Sequence, residues 1–253
     1  MSRLQAELQR LYLPHVAQPE GQDADGDAIR LIDPDGRVRA WVVELAQQAG
    51  WAGVAALWQG VQDELELPAP AIAVSGVDGY QVWFSLAEPV PLAQTLAFLE
   101  GLRLRYLGAI AAKHIRMKPQ ADDSASGPGQ LIRRVPACQG ESGHWSAFVA
   151  PGLAGMFADE PWLDLAPSPD AQAKLLAGVQ SIQPAEFRLA LDRLCPVGAA
   201  AARASGPMTG DVAQEAQNPK RFLLAVMNDP ATDMLLRIEA AKALLPYFER
   251  GHS

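Results

Sequence analysis

Cysteine is scarce in this chain, and long apolar runs are missing. Cys138 and Cys195 are the two cysteines; they lie far apart and without a CxxC spacing, which argues against a zinc site and a disulfide scaffold. No run of about 18 apolar residues occurs, and Glu7 and Gln9 interrupt the region where a signal peptide would be apolar. We therefore expect a cytoplasmic protein with no membrane partner.

Positive charge is in the minority, with 21 Lys and Arg against 29 Asp and Glu, a formal net charge of -8. Such a surface repels phosphate backbones and acidic membranes on average, so any nucleic-acid site must be a local patch. Hydrophobic residues make up 49% of the 253 positions. That share is enough to bury a core, and it excludes disorder of the whole chain.

Basic residues are concentrated between positions 101 and 134, where seven Lys or Arg and two Asp give a local charge of +5. We predict a patch there that binds phosphates, with a nearby tryptophan on which bases could stack. The predicted residues are Trp83, Arg103, Arg105, Lys113, Arg116, Lys118, Arg133 and Arg134. The alternative is a solvated helix face and two edge strands protected by charge.

Apolar spacing in the first half of the chain predicts the order strand, helix, hairpin, helix. A strand-like run at 38–45 precedes a helix from Trp51, in which apolar residues recur every three or four positions. Residues 71–86 have the pattern of two strands joined at a glycine-containing turn. A second helix follows Pro91. We predict an α+β fold, a mixed or antiparallel sheet flanked by helices, with a C-terminal helical appendage.

Three further expectations concern strand pairing. Residues 80–86 alternate, so that Tyr80 and every second residue after it share one face, and Gln81, Trp83 and Ser85 share the other. The turn sequence at 33–36 favours a hairpin between the strand-like runs on either side of it. The short segments 114–118 and 131–136 are expected to pair with each other.

Composition divides the chain into four parts. We predict a flexible N-terminal segment at 1–27, whose first 18 or so residues have the pattern of an amphipathic helix. An α+β core domain is expected at 28–195, a linker rich in Gly, Ala and Ser at 196–217, and a helical hairpin at 218–253.

The hairpin sequence at 75–84, Ser-Gly-Val-Asp-Gly-Tyr-Gln-Val-Trp-Phe, resembles the second motif of archaeo-eukaryotic primase-polymerases. Glu44 falls where the first strand of that family presents two metal-binding acids spaced by one residue. The resemblance covers about residues 35–150. It implies the family's fold, contact with nucleic acid, and a site where carboxylates hold divalent metal near a triphosphate.

The chain departs from the family pattern at the catalytic positions. Ala46 replaces the second acid, Gln81 replaces the motif histidine, the turn is one residue longer, and no third acid follows the second helix convincingly. The resemblance therefore implies vestigial residues and favours a protein that is not an enzyme, without catalytic residues, metal or cofactor. The vestigial residues are Glu44, Ser75, Gly79 and Gln81. The alternative is an ordinary glycine-turn hairpin in an unrelated α+β domain.

The C-terminal residues 222–247 resemble a helical segment of some phage terminase small subunits. That resemblance implies a phage or mobile-element protein with a partner, or with self-association, through residues 218–250. Two functions follow for the whole chain. One is a catalytically degenerate primase-polymerase-like protein that contacts single-stranded nucleic acid; the other is a non-enzymatic adaptor or assembly protein that acts through its C-terminal helices.

Overall fold

A computed structural model describes residues 2–13, 28–120 and 131–195. Strands and helices are interspersed in these ranges, which confirms the α+β class. The strands are β1 Ala28–Arg30, β2 Arg37–Ala46, β3 Ala71–Val74, β4 Gly79–Pro91, β5 Ile115–Lys118, β6 Leu131–Arg133 and β7 Ala147–Val149. The helices are α1 Arg3–Leu11, α2 Gly50–Asp63, α3 Leu92–Tyr106, α4 Pro151–Ala154, α5 Pro169–Ala177 and α6 Pro184–Leu194.

The main sheet has five strands in the order β5-β2-β4-β3-β7, and every neighbouring pair is antiparallel. Strands β2 and β3 are consequently parallel with β4 between them, and β4 and β5 are parallel with β2 between them. The two units β2-α2-β3 and β4-α3-β5 therefore interlock in the split βαβ arrangement of ferredoxin-like folds. Strands β1 and β6 form a separate two-stranded ribbon.

One side of the sheet, here called the first face, is covered by α2, α3 and α6. The predicted alternation along β4 is confirmed, because Tyr80 and the alternate residues after it belong to this core. Trp41 lies among three phenylalanine rings with centroid distances of 5.2 to 6.0 Å. Rings packed at such distances contribute beyond their buried area, so this face is a tightly packed scaffold.

The opposite side, here called the second face, is covered by α1, α5 and the ribbon of β1 and β6. Leu8 and Leu11 of α1 are buried there, so the described residues 2–13 pack on the domain. The buried Arg39 guanidinium donates hydrogen bonds to the carbonyl oxygens of Arg10 and Leu13, both at 2.6 Å. Burial, then the nearby Arg10 charge, lower the pKa of Arg39. A cation at the carbonyl end of a helix interacts favourably with the helix dipole. Arg39 therefore holds α1 in place.

Two pairing expectations need correction. Residues 115–118 pair with β2, and residues 131–133 pair with β1, so the expected pairing of these two segments with each other is wrong. The reason is hydrophobic: Ile115 and Met117 pack against the core of the first face, whereas Ile132 belongs to the core of the second. The turn at 33–36 does form, but it closes only one bridge, between Ile32 and Val38.

Other expectations fall outside the described residues. The linker at 196–217, the helical hairpin at 218–253 and the terminase-like segment stay predictions, as does any structure at 14–27. The predicted amphipathic helix is present over Arg3–Leu11. Across the parts of the chain that the structure describes, no helix has the length and apolar character needed to cross a membrane.

Candidate functional site

A cleft of about 370 Å³ opens on the second face, where β2 ends and β4 begins. It brings together the four vestigial residues predicted from the sequence and three members of the predicted basic patch. These lining residues are Glu44, Ser75, Gly79, Gln81, Lys113, Arg116 and Arg133. Residues from four separate segments of the chain thus converge on one site.

The register of the sheet explains how three of these residues meet. Glu44 on β2 lies directly opposite Gln81 on β4 and, on its other side, directly opposite Arg116 on β5. Directly opposed residues of antiparallel strands point to the same side of the sheet. Gln81, Glu44 and Arg116 therefore form one polar row across the second face, here called the polar row.

A chain of hydrogen bonds orients the side chain of Gln81, which is only 7% exposed. The indole Nε1 of Trp83 donates to Gln81 Oε1 at 3.1 Å, and Gln81 Nε2 donates to Glu44 Oε1 at 2.9 Å. An indole nitrogen can only donate, so it assigns the amide oxygen of Gln81 to the side of Trp83. The amide nitrogen must then face Glu44.

The turn between β3 and β4 is held by Ser75. Its Oγ accepts hydrogen bonds from the backbone N–H groups of Val77, Asp78 and Gly79, at 3.0 to 3.1 Å. Gly79 has to be glycine because a Cβ there would lie 2.0 Å from the carbonyl oxygen of Leu45. Ser75 and Gly79, two of the residues predicted to be vestigial, therefore shape the cleft rim and bring the turn close to β2.

Lys113, Arg116 and Arg133 are exposed residues that line the cleft, and the three together are here called the basic wall. None of the three forms an ion pair within the described ranges. Arg133 Nη1 donates to Gln139 Oε1 at 2.9 Å, and Gln139 Nε2 donates to the carbonyl oxygen of Ser75 at 3.1 Å. This link fastens Arg133 to the turn and keeps its guanidinium near the cleft.

Other members of the predicted patch lie elsewhere. Arg103 and Arg105 are on α3, on the first face, and pair with Glu100 and Glu64 at 2.7 and 2.5 Å. The hydrogen bonds that each arginine donates to its glutamate raise the pKa of that arginine. Both arginines therefore lie outside the cleft and are already neutralised by a local carboxylate.

Trp83 is completely buried, so a base cannot stack on its ring, and its predicted role as a stacking platform is wrong. Its ring packs against Tyr12 and Phe148, at 5.0 and 5.9 Å between centroids. Lys118 and Arg134 do not line the cleft either: Lys118 Nζ donates to the carbonyl oxygen of Leu131 at 3.0 Å. The predicted patch thus divides into the basic wall and residues without access to the cleft.

Sequence reasoning missed further residues that line the cleft, among them Tyr80, His114 and Gln139. The Tyr80 hydroxyl donates to the carbonyl oxygen of Ala154 at 2.7 Å. Burial, and then the charge of Asp159, raise the pKa of Tyr80 to about 12, so it stays a neutral donor. His114 could have been noticed beside Lys113, whereas no local signal connects Gln139 with a turn 64 positions away.

The residues of the cleft do not fit the divalent metal that the primase-polymerase resemblance implies. Such a site needs several oxygen ligands, usually from two or three carboxylates. Ala46 offers none, and the amide of Gln81 presents its nitrogen to Glu44. Asp78 is the one other carboxylate among the lining residues, and it lies in the turn rather than beside Glu44 on β2. Nowhere in 2–13, 28–120 or 131–195 do three metal-ligating side chains cluster.

Comparison of the sequence with known proteins assigns no family to this chain. No protein-family model matches the chain, and no curated protein is significantly similar to it. The resemblances noted for residues 35–150 and 222–247 stay predictions.

Proposed function

We propose that this protein binds nucleic acid in the cleft, as a catalytically degenerate relative of the primase-polymerases. The observation that carries the proposal is the basic wall, three exposed cations without an ion pair among the described residues, beside a concave site. Neutralising phosphates with Lys and Arg is the main source of affinity for nucleic acid. Arg103 and Arg105 differ from the basic wall in this respect, because each already forms an ion pair with a glutamate.

Charge over the whole molecule supports a local site. With a net charge of -8, most of the surface repels a polyanion, so binding has to be concentrated where cations outnumber carboxylates. Three cations of the basic wall face two carboxylates, Glu44 and Asp78, around the cleft. The cleft volume of about 370 Å³ lies in the range of sites that enclose a small ligand. One nucleotide unit of a single strand is therefore a reasonable occupant.

The position of the vestigial residues supports the family part of the proposal. Glu44 lies on the first strand of the interlocked βαβ units, and Ser75, Gly79 and Gln81 lie at the hairpin that pairs with it. This order of motifs is the one that the resemblance implies. No residue of the cleft is assigned a catalytic role, because the second acid and the motif histidine are replaced by Ala46 and Gln81.

The experiment that tests the proposal is binding of fluorescent single- and double-stranded DNA and RNA at low salt. The variant Arg116→Ala/Arg133→Ala removes two cations of the basic wall, and we expect roughly tenfold weaker binding, since charge-assisted contacts are lost. The matched control is Arg103→Ala, which removes a cation outside the cleft and should leave the affinity nearly unchanged. Equal losses in both variants, or no salt-sensitive binding at all, would contradict the proposal and favour a protein-contact role.

A further inference from the structure

We infer that the cleft binds phosphate groups without a divalent cation, because hydrogen-bond donors stand where a metal site requires oxygen ligands. The donors are the amide nitrogen of Gln81 and the guanidinium of Arg116, on either side of Glu44 in the polar row. This inference rests on the cleft of the proposed function and states how that cleft holds its ligand. It concerns the ligand's phosphate, whether in a nucleic acid or in a free inorganic anion.

Gln81 cannot serve as a metal ligand in the orientation that the structure gives it. Its amide oxygen accepts from the indole Nε1 of Trp83, and its amide nitrogen donates to Glu44 Oε1. Turning the amide over would place two donors, the indole and the amide nitrogen, against each other and would break both hydrogen bonds. Because Gln81 and Trp83 are buried, that loss would not be recovered from water. The buried Trp83 therefore keeps the oxygen of Gln81 away from the cleft.

Arg116 adds a positive charge next to Glu44, on the side away from Gln81. Residues that oppose each other across antiparallel strands have Cβ atoms about 4.5 to 5.5 Å apart, so the two side chains leave the sheet side by side. A guanidinium there repels a second cation and offers a planar set of N–H donors that matches phosphate oxygens. Arg116 makes no ion pair within the described ranges, not even with Glu44, so its donors remain open to a ligand.

Glu44 therefore has a role other than that of a metal ligand. Its Oε1 accepts the amide hydrogen bond of Gln81, and its charge lies between that amide and Arg116. The carboxylate thereby holds the polar row together while Lys113, Arg116 and Arg133 supply the anion-binding charge. Replacing the carboxylate should preserve or strengthen anion binding, whereas replacing the guanidinium should weaken it.

A titration with Mn²⁺ alone, followed by calorimetry, tests the exclusion of metal on the full chain. We expect the same heats for the wild type and for Glu44→Gln, with no saturable site that depends on the carboxylate. A saturable Mn²⁺ site in the wild type that disappears in Glu44→Gln would overturn the inference.

A second titration uses inorganic pyrophosphate in the presence of EDTA. We expect binding by the wild type, binding about tenfold weaker in Arg116→Ala, and an unchanged affinity in the control Arg103→Ala. Arg116→Lys should lie between the wild type and Arg116→Ala, because it keeps the charge and loses the planar fork. Binding that requires Mg²⁺, or no pyrophosphate binding under either condition, would overturn the inference.

The two proposals can fail separately. Pyrophosphate bound in EDTA by a protein that binds no DNA or RNA would contradict the proposed function and support the inference. Nucleic acid bound at the basic wall only when Mg²⁺ is present would support the proposed function and overturn the inference.

Discussion

The two faces of the main sheet are built from alternate residues of the same strands, yet they differ in what they can do. The first face carries one continuous hydrophobic core, to which Tyr80, Val82 and Phe84 of β4 belong. The second face is apolar only under α1, α5 and the ribbon, and it becomes polar at Gln81 and its opposite neighbour Glu44. The packed core of the first face therefore fixes the positions of the strands. The cleft forms on the second face, where those strands carry polar residues.

This difference implies that stability and ligand binding should be separable by mutation. Changes on the first face should unfold the protein with little specific effect on the cleft. Changes in the polar row and the basic wall should alter binding with little effect on the free energy of unfolding. Changes in residues that hold α1, α5 or the ribbon on the second face should have an intermediate effect on stability.

The largest effect is expected for Trp41→Ala on the first face. It removes a ring that packs against Phe84, Phe98 and Phe187, and we expect the free energy of unfolding to fall by about 3 to 5 kcal/mol in urea titrations. The control Leu189→Ala changes a side chain that is 59% exposed, and it should change stability by less than about 0.5 kcal/mol. A Trp41 variant as stable as this control would refute the scaffold role of the first face.

A smaller loss is expected when the cover of the second face is loosened. Arg39→Met removes the donors to the carbonyl oxygens at the end of α1 and should destabilise the protein by about 2 to 3 kcal/mol. Hydrogen exchange of residues 2–13 should rise more than exchange in α2 or α3. A uniform rise over the whole domain would show that Arg39 does not act through α1.

Ser75→Ala tests the turn at the rim of the cleft. Three backbone N–H groups lose their shared acceptor, but Val77 and Asp78 are exposed and can turn to water, so the loss should be about 1 kcal/mol. The binding free energy for nucleic acid should fall by more than the free energy of unfolding does. The reason is that the turn also holds Arg133 through Gln139. Unchanged binding would separate the turn from the ligand site.

The smallest change in stability is expected for Glu44→Gln in the polar row, below about 1 kcal/mol, since Glu44 is only partly buried. Whether Glu44→Gln strengthens or weakens binding distinguishes two roles of the carboxylate. Removing a negative charge from an anion site should strengthen binding of a single-stranded oligonucleotide by about two- to fivefold at low salt. A loss of binding would instead indicate that the carboxylate contacts the ligand or a metal.

Alternation and turn chemistry were sufficient to predict the α+β class and the two faces of β4, because these signals are local. The residues called vestigial were predicted from the primase-polymerase resemblance alone. The burial of Trp83 was not predictable, since the residues that cover it, Tyr12 and Phe148, are more than 60 positions away on either side. The pairing of Arg105 with Glu64 depends likewise on how α2 and α3 pack together. Composition showed where basic residues are concentrated along the chain, but long-range packing decides which of these cations line the cleft.

The most direct test of the cleft as a nucleic-acid site is the salt dependence of binding to a single-stranded oligonucleotide. The logarithm of the association constant is measured against the logarithm of salt concentration for the wild type and for Lys113→Ala/Arg116→Ala/Arg133→Ala. If the basic wall neutralises three phosphates, the slope should become shallower by about 2, at roughly 0.7 per contact for a single strand. An unchanged slope in the triple variant would contradict the assignment of this cleft to nucleic acid.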